Sequence, residues 1–280
     1  MFLDSERRWY HRATTYALLL LGLVVVLVPF LFMISTSFKM QQYTFEYPPR
    51  LWPTEFTLRN YVQALQRDRF DLYFLNSLLV AVATTASTVF ISSLLAFAFA
   101  RLKFAGKNVL FYVLLVGMMI PPVMLIIPQF LVAKQMALLN TFPGLIVVYI
   151  AMNLSMQTFL LRGFFESIPQ DLEDAVRIDG GSRWTIFRHV VLPLSRPGLA
   201  TVAIFTFLYS WDEFPWAHVA MQEASRRTLP VAIALFQNQH LTQWGQVFAA
   251  SIVALIPVVA VFILFQRHFI RGIARSGLKG

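Results

Sequence analysis

Residues 173–197 read EDAVRIDGGSRWTIFRHVVLPLSRP, with charges of both signs set around a pair of glycines. On either side the chain turns apolar, near 142–161 before it and near 199–220 after it. Each flanking run has roughly the 20 residues that an α-helix needs to cross a hydrocarbon core of about 30 Å. A polar, hinged stretch between two such runs fixes the kind of fold. The chain crosses a bilayer, turns in water and crosses back.

Working outward, comparable runs lie near 16–38, 74–100, 109–132, 142–161, 199–220 and 248–265, with the polar loop spanning 162–197. They are continuous, without the alternation of a membrane barrel, so helices rather than strands are expected. The composition agrees, because 58% of the residues are hydrophobic and 13% charged. A soluble domain carries about 25% charged residues, and this chain could not cover its apolar surface in water. The first run follows RRWYHR but is too long for the core of a signal peptide and lacks a small-residue cleavage site. It reads as an uncleaved first span. The expected fold is all-α, one polytopic membrane domain over residues 1–280 with six spans.

Orientation comes from the basic residues. With the N-terminus inside, the inner segments hold 15 Lys and Arg against 8 outside, while acids divide 7 against 7. A bias in Lys and Arg alone is what the positive-inside rule describes, so both termini and the 162–197 loop are placed in the cytoplasm. The formal charge of +9 is spread between apolar runs and not gathered on one soluble domain, which argues against nucleic acid as a partner and for membrane lipid. The absence of cysteine excludes a disulfide framework, a thiolate nucleophile and cysteine metal sites. Five scattered histidines make no paired metal-binding spacing.

Within the loop, Ser167 with Gln170 three residues later forms a weak helix-start signal before DLEDAVRI. Leu172, Ala175, Val176 and Ile178 would give a small amphipathic helix. Gly180 and Gly181 can break it, since glycine takes positive φ without a Cβ penalty. Ser182 can cap a second helix, with Trp184, Phe187, Val190 and Val191 on its buried side, ended by Pro193. An ordinary amphipathic loop is the competing reading.

The spacing resembles the cytoplasmic EAA loop of binding-protein-dependent ABC importer permeases: EAA, three residues, Gly, nine residues, Ile, one residue, Leu-Pro. Asp174, Ala175 and Val176 take the EAA places, Gly180 the glycine, Val190 the isoleucine, and Leu192 and Pro193 the close. Asp for Glu and Val for the last Ala are departures that keep the chemistry. Segments such as FARLKFAGKNVLFYVLL, MMIPPVMLIIPQFLV, LLNTFPGLIV, SWDEFPWA and FQRHFIRGIARSGLKG are similar to carbohydrate-type permeases related to the smaller membrane subunit of the maltose importer. The resemblance implies a cytoplasmic (inner) membrane location in a prokaryote. It also implies a second permease subunit, two ATPase subunits, an extracytoplasmic solute-binding protein and a carbohydrate substrate. Glu173, Asp174, Ala175, Val176, Asp179, Gly180, Val190, Leu192 and Pro193 would form the ATPase-coupling element. The tail Gly277, Leu278, Lys279 and Gly280 would reach the ATPase interface.

The chain lacks the phosphate-cradling GxxxxGK[ST] motif. ATP and Mg would therefore be held by the partner ATPases, and no cofactor is expected on this subunit. Asp212 and Glu213 fall near the middle of the fifth run, where a charge costs about 2.5–3.5 kcal/mol on insertion scales. They either face a solute path or mark an outer interface with Trp211 and Trp216 as belt residues. Asn76, Asn153 and Gln157 are path candidates too, with hydrogen bonds between helices as the rival explanation. The prolines of MIPPVMLIIP read as a gate or a simple kink, and segment 39–73 as a docking surface or a plain loop. A membrane enzyme would need a catalytic polar cluster, and a secondary transporter or channel would need no coupling loop. A non-sugar solute such as a glycerophosphodiester or glycerol phosphate is the alternative cargo.

Overall fold

The computed structural model describes residues 2–66, 69–235 and 242–276, with side chains from 10 to 266 within those ranges. The chain groups into two compact units, Met1–Phe70 with Ile233–Val253, and Asp71–Ala232 with Ala254–Gly280.

In the first unit, helix α1 (Phe2–Ser37) contributes the apolar span Tyr10–Ser37, and no part of its most apolar window is buried. Its leucines and valines between 18 and 31 are all exposed. The burial is concentrated just past its end. Lys39 is 1% exposed, donating from Nζ to the Arg50 carbonyl at 2.5 Å and facing Glu46 at 3.4 Å. A buried ammonium is tolerable only when paired in this way. The Asn60 amide, from the short helix α2 (Arg59–Gln66), donates to the carbonyls of Ser37 at 2.9 Å and Lys39 at 2.7 Å. Carbonyls left open at the end of α1 thus find a donor. The segment between the two helices leaves Phe45, Tyr47, Trp52 and Phe56 exposed.

The second unit begins with most of α3 (Phe70–Arg101). Ser77, Ala81, Thr84, Thr88, Ser92 and Ala96 recur at three- and four-residue spacing, and each is at most 1% exposed. Small residues on one face let helix backbones approach closely in a membrane. Leu75, Leu79, Val82 and Phe90 point the other way. Next come α4 (Lys107–Met119) and α5 (Ile126–Gln135), then α6 (Phe142–Glu166). The inward stripe of α6 runs Leu145, Tyr149, Asn153, Gln157, Leu161 and Phe165, one residue per turn. Short helices α7 (Asp171–Ile178), α8 (Arg183–Ile186) and α9 (Leu192–Leu194) precede α10 (Arg196–Asp212), α11 (Pro215–Ala220) and α12 (Leu229–Ala234). Helix α13 (Trp244–Ser276) closes the described chain.

Among the described residues four helices are long and apolar enough to cross a membrane: Tyr10–Ser37, Phe70–Arg101, Phe142–Glu166 and Trp244–Gln266. Six are reached only if two bent pairs each make one span, the second being Arg183–Leu194 with Arg196–Asp212, bent by 76°. The third expected span, 109–132, is not continuous. Its pair, Lys107–Met119 with Pro122–Gln135, bends by 96°. Ile120 is extended, as a residue before proline prefers, and Pro121 and Pro122 bring no backbone N–H for the preceding turn. The fifth run, 199–220, is also interrupted. Helix α10 stops at Asp212, Glu213 is extended, and α11 restarts at Pro215. Asp212 and Glu213 therefore stand at a helix end, not inside a continuous helix.

Candidate coupling hinge and membrane cavity

The 162–197 loop folds into two short helical pieces. Ser167 does not start the first; it ends α6, and its hydroxyl donates back to the Phe164 carbonyl at 2.7 Å. Helix α7 begins at Asp171 with Asp171, Glu173 and Asp174 in its first turn, where acids suit the helix dipole. It closes in a double hydrogen-bonded reversal. The Gly180 N–H donates to the Arg177 carbonyl at 3.0 Å, and the Gly181 N–H to the Val176 carbonyl at 2.8 Å. This is the Schellman motif, with Gly180 in the required left-handed conformation at φ +77°.

The two glycines have different reasons to be there. A Cβ on Gly180 would meet nothing within 4 Å, so only its backbone demands glycine. Gly181 has no positive φ, but a Cβ there would sit 2.4 Å from a Val176 methyl and 2.8 Å from the Val176 carbonyl. Ser182 then caps α8, accepting from the Thr185 N–H at 3.2 Å.

From Phe187 to Val191 the helix widens into a π-turn, with the Leu192 N–H reaching the Phe187 carbonyl five residues back. Pro193 supplies the cause. Its ring would press on the His189 carbonyl in a regular helix, and it has no N–H to donate. Ile186, Phe187 and Val191 are buried under Ala96, Phe97, Leu161 and Phe165. Each such side chain contributes roughly 1.5–3 kcal/mol against exposure to water. Val190 is half-buried, and Trp184, expected inside, is 55% exposed while leaning on Phe187.

The acids of α7 divide by direction. Glu173 is 2% exposed and faces Arg101 Nε at 2.5 Å, an ion pair without the alignment of a hydrogen bond, with Arg177 at 3.5 Å. The Arg101 terminal nitrogen also donates to the carbonyls of Phe165 and Ile168, each at 2.7 Å. One guanidinium thus joins the ends of α3 and α6 to α7. Sequence reading missed Arg101 in this role, because its partners lie 64 to 72 positions away. Asp174, Ala175 and Asp179 face outward with Ile178, which is 86% exposed. Asp174 pairs with Arg177 at 2.6 Å. Leu192 is half-buried and Pro193 exposed. Gly277, Leu278, Lys279 and Gly280 lie outside the described residues.

The path candidates are not brought to one place. Asn76 donates to the carbonyls of Ser225 at 3.1 Å and Arg227 at 3.0 Å, fastening a turn. Asn140, which sequence reading passed over, holds the same turn from its other side, its side-chain oxygen accepting from Gln222 and Glu223. Asn153 donates to the Tyr149 carbonyl one turn back, at 2.8 Å. Gln157 is 3% exposed, and its side-chain oxygen has no partner among the described residues. Trp211 is 2% exposed, stacked on Phe207, and donates to the Ala254 carbonyl at 3.0 Å. Neither Trp211 nor Trp216, 1% exposed, is placed as a belt residue.

Asp212 and Glu213 separate sharply. Glu213 accepts from the Tyr149 hydroxyl at 2.6 Å and from the N–H groups of Trp216 at 2.7 Å and Ala217 at 3.0 Å. It caps α11. Asp212 is exposed and has no hydrogen-bond or ion-pair partner among the described residues. Both line a cavity of about 430 Å³ together with Pro122, Met152, Tyr209 and Phe214. The 96° bend at Pro121 and Pro122 opens on this space. Among the described residues no cluster of side chains could hold a metal ion.

Comparison with known proteins fits this arrangement. Residues 88–275 match the family described as binding-protein-dependent transport system inner membrane component. The chain is 34% identical to a diacetylchitobiose uptake system permease of Streptomyces coelicolor over 99% of its own length and 91% of the relative's. It is 36% identical to a trehalose/maltose transport system permease of Thermococcus litoralis, covering 92% and 93% of the two chains. A sulfoquinovosyl glycerol transport system permease of Agrobacterium fabrum is 36% identical over 92% and 90%. A solved bacterial ABC transporter involved in import of the acidic polysaccharide alginate shares the fold, with a TM-score of 0.78 at 23% identity over 93% and 96%. A hinged helix pair under apolar spans and a family match across both together place the chain among the inner membrane components of binding-protein-dependent transport systems.

Proposed function

We propose that this chain forms half of the translocation path of an ATP-driven importer for a sugar or related polyol, and takes its driving motion through α7. The observation that carries this is the outward face of α7. Asp174, Ala175 and Ile178 are exposed on a short helix whose other side is pinned by Glu173, with Asp174 paired to Arg177 of the same helix. A rigid knob with a small residue at its tip and a carboxylate beside it suits a socket with a basic rim. Two ATPase subunits, which bind ATP and Mg, would supply such sockets, with a second permease completing the path and an extracytoplasmic binding protein delivering solute. Both termini are read as cytoplasmic. Sugar as cargo is supported by relatives named for diacetylchitobiose and for trehalose and maltose.

The test is Gly180→Val. A branched residue at φ +77° is strained by about 1–3 kcal/mol, yet its Cβ meets nothing within 4 Å. The subunit should insert and accumulate normally, while ATPase subunits co-purify poorly or hydrolyse without uptake. Normal uptake with coupled hydrolysis would sink the assignment of α7.

A further inference from the structure

The cavity at the Pro121–Pro122 bend has a chemical character of its own. Two carboxylates line it, and no Lys, Arg or His does. The carboxylates are not equivalent. Glu213 spends its oxygens on Tyr149 and on the first turn of α11. Asp212 is exposed, partnerless among the described residues, and open to the space. Tyr209, Phe214 and Trp216 line it beside Asp212, and the Trp216 indole N–H is buried without a partner among the described residues. Aromatic faces accept C–H groups, and a free carboxylate accepts O–H or N⁺–H groups. A phosphate, sulfonate or uronate would bring like charge to Asp212 with no cation to offset it.

We propose that this cavity is an anion-excluding stretch of the solute route, suited to neutral hydroxyl-rich or amine-bearing solutes that donate to Asp212. The proposal rests on the chain forming a translocation path. It separates sugars and amino sugars from glycerol phosphate and glycerophosphodiesters, which the charge of the cavity disfavours. A cavity lined by one sign of charge raises the local concentration of the opposite sign, with effects on association of tenfold or more.

The chain has no cysteine, so Val123→Cys places its single thiol at the cavity wall. In the assembled importer, reaction rates with a trimethylammonium-ethyl and a sulfonatoethyl methanethiosulfonate are each normalised to a free thiol. The expected cation-to-anion ratio is about tenfold or more, falling toward one when Asp212→Asn is added. The rate should also differ between the resting and vanadate-trapped states. A ratio near one, or a high ratio unchanged by Asp212→Asn, overturns the charge filter even where ATP-coupled uptake is intact. A high ratio with equal reactivity in both states puts the cavity off the route and overturns the proposal. Failure of the complex to assemble with ATPase subunits would instead count against the permease reading itself.

Discussion

At the scale of single residues, neighbours in sequence have unlike duties. Glu173 turns inward to Arg101 while Asp174 stays in solvent. Removing Arg101 leaves the buried Glu173 carboxylate with only the more distant Arg177, and breaking such a buried pair typically costs about 3–5 kcal/mol, whereas replacing both partners with apolar residues is often neutral. Arg101→Met should therefore lower the melting temperature of the purified complex markedly, and Arg101→Met with Glu173→Met should recover most of it. Equal melting of the single and double variants would remove the ion pair from the account. The same contrast holds further along. Glu213→Gln turns an acceptor of three hydrogen bonds into a mixed amide and should destabilise by about 1–3 kcal/mol. Asp212→Asn, which disturbs no bond, should leave the melting temperature where it was.

At the scale of elements, the apolar runs were legible because a helix in lipid must be apolar around most of its surface. Helix α3 ends one residue beyond its expected end and α6 five, where Arg101 and Glu166 reach polar partners. The breaks were less legible. Prolines at 121, 122 and 215 were visible, but whether they kink a helix or turn it through 96° depends on the helices packed around them. Spin labels at Val109 and Val132 test the bend. A straight helix of that length holds them about 35 Å apart, while two arms at a right angle bring them to about 24 Å. Pro121→Ala with Pro122→Ala should shift the distance distribution toward the longer value, and a long distance in the unaltered chain would refute the bend. The π-turn and the capping of α11 by Tyr149-bound Glu213 escape sequence reading for a related reason. Pattern marks Pro193 but not whether the helix around it breaks or widens, and it marks Glu213 but not the Tyr149 hydroxyl 64 positions away that holds it. The Schellman turn was legible at Gly180. At Gly181 the need is space against Val176, which spacing alone does not reveal.

At the scale of the whole molecule, topology is the claim most open to direct measurement. Single cysteines at Ser182 and Ser225 should react with an impermeant reagent from opposite sides of the membrane, Ser182 only from the cytoplasm. Reaction of both from one side would overturn the six-crossing reading in which each bent pair counts once. The molecule also contains a fastening whose mechanical sense goes beyond stability. Arg101 meets the last turn of α6 at the Phe165 carbonyl, the segment after it at the Ile168 carbonyl, and α7 at Glu173, through nitrogens of one flat group. A round pin lets the parts it joins swivel, but a flat key does not. A load that a partner placed on α7 would therefore have one stiff route to α3 and the end of α6, as torque passes from a wrench, and slack at that one joint would let α7 turn without them.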